Sequence, residues 1–272
     1  MRNSSLTIVS FHFTNQILQY QKTFVISARI IVATGAPNKL GKKTEIIDLS
    51  DPTLHCDLLA DISLRSGSVG GLLGGQPFIC GGYISGHPLK DCFIINQNDF
   101  QRKLYLLDLR AFAASVCLDN NTIWIVGGRD RDSKDRDLAT SEFVLAGEWI
   151  AHYGRNMPFT ISSHGMVKFD DDTIFIMGGR QNGSVSRQTW IVNPKDNFSI
   201  REGPSMLSER ALFSCGKMEL NGKSVIVVAG GDWGTSILDT VEILDPSDGE
   251  GWVWGKIYIN PYLNHLAFNS SF

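Results

Sequence analysis

FICGG at residues 78–82, IWIVGG at 123–128, IFIMGG at 174–179 and VIVVAGG at 225–231 decide the fold. Each is an apolar run rich in β-branched residues that stops at a glycine pair. The pairs end at Gly82, Gly128, Gly179 and Gly231, at intervals of 46, 51 and 52 residues. A degenerate copy, IIVATG at 30–35, ends 47 residues before Gly82. A period of roughly 50 residues running through nearly the whole chain is the sequence signature of propeller blades, and it is longer than the roughly 40 to 45 of WD40 units.

Around each glycine pair the same parts recur, most clearly in the unit that ends at Gly179: SSHGMVKF (162–169), a DDD turn (170–172), TIFIMGG, the polar loop RQNGSVSRQ (180–188), TWIVNP (189–194) and FSIREGPSM (198–206). Short β-rich runs separated by turn residues are what a four-stranded antiparallel sheet requires. Asp119-Asn120-Asn121, Asp170-Asp171-Asp172 and Asn221-Gly222 supply the turn before the glycine-ending strand. TEIID (44–48), SEFVL (141–145), TWIVN (189–193) and VEILD (241–245) supply the third strand, and Trp149 and Trp252 stand 21 residues beyond their glycine pairs.

Composition narrows the function classes. Twenty-five basic against 28 acidic residues give a net charge of −3 with no long block of one sign, which argues against nucleic-acid and membrane-surface partners. No apolar stretch reaches the length of a membrane span. The first residues carry no basic segment followed by an apolar run and a cleavage site, so a cytoplasmic location is expected; sequons at Asn3, Asn120, Asn182, Asn197 and Asn269 keep secretion as the alternative. The five cysteines form no CxxC, and no His spacing suggests zinc; neither metal nor cofactor is expected. Cys80 ends one strand and Cys92 opens the next, which leaves two readings: buried free thiols, the preferred one, or a disulfide.

The apolar run, the Gly-Gly, a variable loop, a strand opening with Thr-Glu or Ser-Glu and then Trp resemble the kelch superfamily over about 240 residues. The resemblance implies an all-β, kelch-type β-propeller of four-stranded antiparallel blades. Five repeats are recognisable, with truncation from six as the other reading. Residues 25–272 would form the propeller and residues 1–24 an N-terminal segment offering an extra strand. The end of the chain, INPYLNHLAFNSSF (259–272), aligns with a first strand and is expected to close the ring on the first blade. Gly81, Gly82, Gly127, Gly128, Gly178, Gly179, Gly230 and Gly231 are architectural, and Trp149 and Trp252 fill the wedges between blades.

Binding in such a fold sits where the loop between the second and third strands and the connection into the next blade emerge together. The residues after the glycines, Ala36, Tyr83, Arg129, Arg180, Asp232 and Trp233, are expected to rim that mouth. Arg65, Arg110 and Arg210, in the Pro-x-x-Arg region of the resemblance, would add to it, with Ser163-His164 in the corresponding place of the Gly179 unit. A ring of up to five arginines would attract acidic segments. The loop RDRDSKDRD (129–137), with four basic and four acidic residues, reads as a self-paired surface loop. The expected function is a non-enzymatic scaffold that binds a protein or peptide at one mouth, acidic segments favoured. The alternative is a secreted glycan-binding or galactose-oxidase-like catalytic propeller.

Overall fold

A computed structural model describes residues 65–95, 100–130 and 137–255 with their side chains, and the backbone of Asn96, Asp99 and the strands Lys22–Ile26, Arg29–Ala33, Thr44–Asp48, Cys56–Leu59, Ile257–Ile259 and Leu266–Phe268. The described residues are all strand, turn and loop, and they build five four-stranded antiparallel sheets. Sheet 1 comprises Lys22–Ile26, Arg29–Ala33, Thr44–Asp48 and Cys56–Leu59. Sheet 2 comprises Val69–Leu73, Gln76–Cys80, Asp91–Asn96 and Asp99–Tyr105. Sheet 3 comprises Ala114–Cys117, Thr122–Val126, Ser141–Leu145 and Ile150–Tyr153. Sheet 4 comprises Gly165–Lys168, Ile174–Met177, Thr189–Asn193 and Ser199–Glu202. Sheet 5 comprises Ser214–Leu220, Lys223–Ala229, Val241–Leu244 and Trp252–Gly255.

In every sheet the strands follow chain order from inside out, and the innermost strands of consecutive sheets lie against each other. This is a propeller-like arrangement. The first strand of sheet 1 begins at Lys22, so it crosses the expected boundary between residues 24 and 25. The chain end is a hairpin of Ile257–Ile259 with Leu266–Phe268 in a two-stranded sheet of its own, not a fifth strand on sheet 1, which already has four.

The turns expected from sequence close the inner hairpins. Asp119 and Asp170 accept the amides of Asn121 and Asp172 at 2.7 and 2.9 Å, and Asn221-Gly222 takes two left-handed residues, φ 52° and 79°. The second strands of sheets 3 and 4 are buried nearly along their length because they are sandwiched by neighbouring sheets on both faces.

The core is divided into wedges, one per pair of neighbouring sheets. Between sheets 2 and 3 lie Phe78, Ile94, Ile123, Ile125 and Val144, with Trp149 against them, its ring 6.3 Å from Phe78. Between sheets 3 and 4, Phe198 holds the place Trp149 has one wedge earlier: it heads the outer strand, has the same left-handed backbone, and packs 4.8 Å from Trp124. Trp252 fills the wedge between sheets 4 and 5 beside Phe175 and Met177, and its indole N–H donates to the carbonyl of Pro204 at 2.8 Å. Large rings suit this place because the gap between twisted sheets widens outward.

Two series of backbone hydrogen bonds tie the sheets together near the glycine pairs. The second glycine donates to the connection entering the next sheet: Gly82 to Arg110, Gly128 to Ile161 and Gly179 to Arg210, each at 2.8 Å. At Gly127–Gly128 both residues are left-handed, and a Cβ on Gly127 would lie 2.2 Å from the Ile161 carbonyl oxygen. Only glycine meets both conditions. In the second series the residue two before each inner strand hands its amide to its predecessor: Phe112 to Gly67, Ser163 to Phe112 and Leu212 to Ser163, at 2.7 to 2.9 Å. All four of these residues are left-handed, three of them not glycine.

Candidate functional site

The residue after each glycine pair enters a small antiparallel ladder. Tyr83 bridges Ser66 and pairs with Pro88; Arg129 bridges Ala111 and Asp137; Arg180 pairs with Ser162 and Val185; Asp232 bridges Ala211 and Ile237. Connection, post-glycine residue and returning segment thus form one three-stranded ladder per sheet from 2 to 5. All four ladders sit at the end where the glycine-bearing strands terminate, because there the incoming connection and the loop between strands two and three meet. Ala36 lies outside the described residues, as do residues 131–136 of the charged loop.

The arginines of the connections are not on the surface. Arg65, Arg110 and Arg210 are 4, 1 and 0 % exposed. Arg110 donates from Nε to Glu142 at 2.8 Å, from Nη1 to the carbonyls of Gly127 and Thr140, and from Nη2 to Asp108 and the Thr140 hydroxyl. Glu142 is itself fully buried and accepts the amides of Leu107 and Asp108 at 2.7 and 3.1 Å. The same assembly recurs two repeats later, in sheet 5: Arg210 on Glu242, Gly230 and Thr240, with Glu242 accepting from Leu207 and Ser208. In sheet 2 the carboxylate comes from two positions earlier, where sheet 3 has Thr140. Asp91 takes both terminal nitrogens of Arg65 at 2.9 and 3.0 Å, and Phe93, in the register of Glu142, lies under the guanidinium at 4.9 Å. These three arginines therefore do not belong to a binding rim. A planar fork of donors meets one or two carboxylates and two carbonyls inside the protein, and that offsets the burial cost of the charge.

Of the post-glycine residues, Arg129 is mostly committed: its Nε donates to Asp137, whose side chain is 2 % exposed, at 2.7 Å. Tyr83 stands half-buried with its ring 6.3 Å from Phe112. Arg180 is half-buried and donates to the Gly183 carbonyl within its own hairpin. Asp232 holds its loop through the Gly234 amide, and Trp233 and Ile237 project into solvent, 52 and 53 % exposed.

Sheet 4 breaks the pattern, and a pocket occupies the break. By backbone conformation and register, Ile161 stands where sheets 2, 3 and 5 have Arg, and Trp190 where sheets 3 and 5 have Glu. The Arg slot is thus Ile161, two residues before the Ser163-His164 expected from sequence. The amide that Leu107 and Leu207 give to the glutamate has no counterpart, because Pro158 has no N–H. Phe159 stacks on Trp190 with centroids 4.6 Å apart. Gln181 replaces the arginine on the glycine carbonyl, donating to Gly178 at 3.2 Å and accepting from Trp190 Nε1 at 3.4 Å. With arginine, glutamate and the amide all replaced together, no charge is left unpaired.

The resulting cavity has a volume of about 480 Å³. Pro158, Phe159 and Trp190 line it together with Ser184, Val185 and Ser186 and the amide side chains of Gln181, Asn182 and Gln188. No lining residue is ionisable. Asn182 accepts from the backbone and hydroxyl of Thr160, and Ser186 from the Gln188 amide, which leaves the Asn182 amide group and the Ser186 hydroxyl as donors. The sheet 5 loop reaches the same place, since a Cβ on Gly234 would sit 3.7 Å from Val185. Sequence reasoning listed none of these pocket residues. The signal was available: Trp190 in a Thr-Glu position and Pro158 in the preceding connection depart from their repeats together.

Two further side-chain facts bear on chemistry. The sulfurs of Cys80 and Cys92, directly opposite in register, are bonded at 1.99 Å, so the preferred free-thiol reading gives way to the disulfide. His164, 7 % exposed, has neither ring nitrogen hydrogen-bonded, and burial pushes its imidazole down to about 3. Among the described residues no three His, Cys, Asp or Glu side chains come together as a metal site, and no helix is long and apolar enough to cross a membrane.

No protein-family model matches the chain, and no curated protein matches it. Among 233 matching chains of solved structures is YjhT, with a TM-score of 0.73 at 12 % identity, over 87 % of this chain and 83 % of that one. At that identity the likeness speaks to fold.

Proposed function

We propose that this chain is a kelch-type β-propeller protein that binds a protein or peptide, without catalysing a reaction, at the face carrying the four ladders. The observation that carries the reading is the open, uncharged pocket of about 480 Å³ at sheet 4, beside a loop that holds Trp233 and Ile237 in solvent. Exposed aromatic surface next to a concave site is unusual for a face with no partner. The preference for acidic segments is not kept, because Arg65, Arg110 and Arg210 are buried and Arg129 is paired. Gly-Gly pairs, Thr-Glu or Ser-Glu strands and wedge tryptophans support the kelch assignment.

Affinity capture with the full chain, quantified by mass spectrometry against a Trp233→Ala/Arg180→Ala variant, tests the reading. Loss of the same captured proteins from the variant is expected, and identical eluates from both would overturn it. A second reading has one observation in its favour: aromatic rings sharing a pocket with amides and hydroxyls also suit a sugar ring. Binding of neutral oligosaccharides by the unaltered chain, with no protein captured, would favour it.

A further inference from the structure

We infer that the pocket of sheet 4 and the strand Ser184–Val185 together form a docking site for an extended, uncharged peptide segment, which adds to the edge of that strand. This rests on the reading of the ladder face as a binding surface and names the chemistry of what it takes.

The argument starts from which edges are open. Each ladder ends in a returning segment; the carbonyl of the residue just past it accepts an amide of the connection entering the next sheet, Leu89 from Arg110, Leu138 from Ile161 and Ser186 from Arg210, while beside the paired residues themselves no further strand lies among the described residues. In sheet 2 that segment carries Pro88, which has no amide to offer. In sheet 3 it carries Asp137, buried and tied to Arg129. Both are devices that blunt an edge. In sheet 4 it carries Val185, apolar and half-buried, with Ser184 exposed before it.

The hairpin geometry then aims the backbone. Asn182-Gly183, both left-handed at φ 49° and 83°, form the two-residue turn between Gln181 and Ser184. Such a turn closes on a hydrogen-bonded pair, here Gln181 with Ser184. The next pair, Arg180 with Val185, is then of the non-bonded kind, so the N–H and C=O of Val185 point to the open edge. Ser184, Val185 and Ser186 line the same pocket as Phe159 on Trp190. A peptide backbone that bonds Val185 would place an alternate side chain against those rings, where proline or an aromatic fits. Every donor left over is neutral, and no charged group lines the cavity, so a charged residue entering it would lose its hydration without a partner. A neutral segment is thereby selected.

The test uses the full chain and three arrays of end-blocked heptapeptides: one built from uncharged residues including Pro, Tyr and Trp, one enriched in Asp and Glu, and one in Lys and Arg. Neutral oligosaccharides form a fourth arm. Hits are titrated by fluorescence anisotropy against wild type, Val185→Pro, Val185→Thr and Trp190→Phe, with thermal melts to show that each variant folds. The expected result is binding from the uncharged array, weakened at least tenfold by Val185→Pro and less than threefold by Val185→Thr, which keeps the amide. Uncharged peptides that bind Val185→Pro as well as wild type would overturn strand addition. Binding confined to a charged array would overturn the proposal and leave the ladder face standing as a peptide site. Binding of oligosaccharides alone, or of nothing in any arm, would remove the proposal; if the captured proteins also persist with the Trp233→Ala/Arg180→Ala variant, the ladder-face reading falls with it.

Discussion

At the scale of single residues, His164 and the Arg110–Glu142 pair carry measurable consequences. His164 is neutral in the fold, with an imidazole pushed to about 3 by burial, whereas an unfolded histidine titrates near 6.5. Above pH 6.5 both states are neutral and the group costs nothing. Below it only the unfolded chain takes up the proton, so stability falls by up to about 1.4 kcal/mol per pH unit until the folded group titrates near pH 3. Urea unfolding of His164→Ala, the residue sheet 3 has there as Ala113, should show a shallower loss between pH 6.5 and 4 than wild type; parallel curves would refute the assignment. Arg110→Met should cost about 3–5 kcal/mol, because Glu142 stays buried with its charge and two amides but without its cation. Denaturant melts check this. These arginines were visible in the sequence as repeats of one another, but their burial was not. A lone sequence places Arg at a loop end without saying whether a carboxylate one strand away turns inward to meet it. Glu142 and Glu242, each two residues after a threonine at the entry to the third strand, were the other half of that information.

At the scale of elements, the connections between sheets hold non-glycine residues in left-handed backbone, and the hydrogen bond each one makes to its neighbour keeps it there. Ser163→Gly should raise stability by up to about 1 kcal/mol, since relief at φ 55° outweighs the entropy glycine loses on folding, while Ser163→Val should lower it by more than 1 kcal/mol. Thermal melts of the pair decide it, and a destabilised glycine variant would count against the strained backbone. The disulfide belongs to this scale too. It joins opposite residues of two neighbouring strands across 12 positions, a short loop whose closure is worth about 3 kcal/mol in the chain-entropy picture. Reduction of the folded chain should lower the unfolding free energy from denaturant melts by that much or less, and Cys80→Val/Cys92→Ser, the pair found at the matching site of sheet 3, should lower it to the same extent and abolish the effect of reductant. Strand positions were legible at this level because apolar runs and turn residues are local. The ladders were not: each joins the post-glycine residue both to a returning segment 5 to 8 residues on and to a connection 17 to 21 residues back, and no local pattern marks Pro88, Asp137, Val185 and Ile237 as equivalents.

At the scale of the molecule, the repeat period predicted a series of four-stranded sheets, and the described residues build five of them. What the period could not convey was where the repeat fails. Averaging the units hides sheet 4, whose ion pair is exchanged for Phe159 on Trp190, and that exchange is what opens the pocket. The ties between sheets also set how the whole responds to opening. The amides of Phe112, Ser163 and Leu212 lie in loops, yet each is bonded across a sheet boundary. Hydrogen exchange should find them as slow as strand amides such as Ile176, and fast exchange would mean the sheets open independently. The same bonds have a consequence for anions. The amides of Phe112, Ser163 and Leu212 are spent on carbonyls across the sheet boundaries, so none of these three N–H groups is left to cradle a negative charge as the first amides of a helix do. Preference among ligands falls to the side chains that line the face.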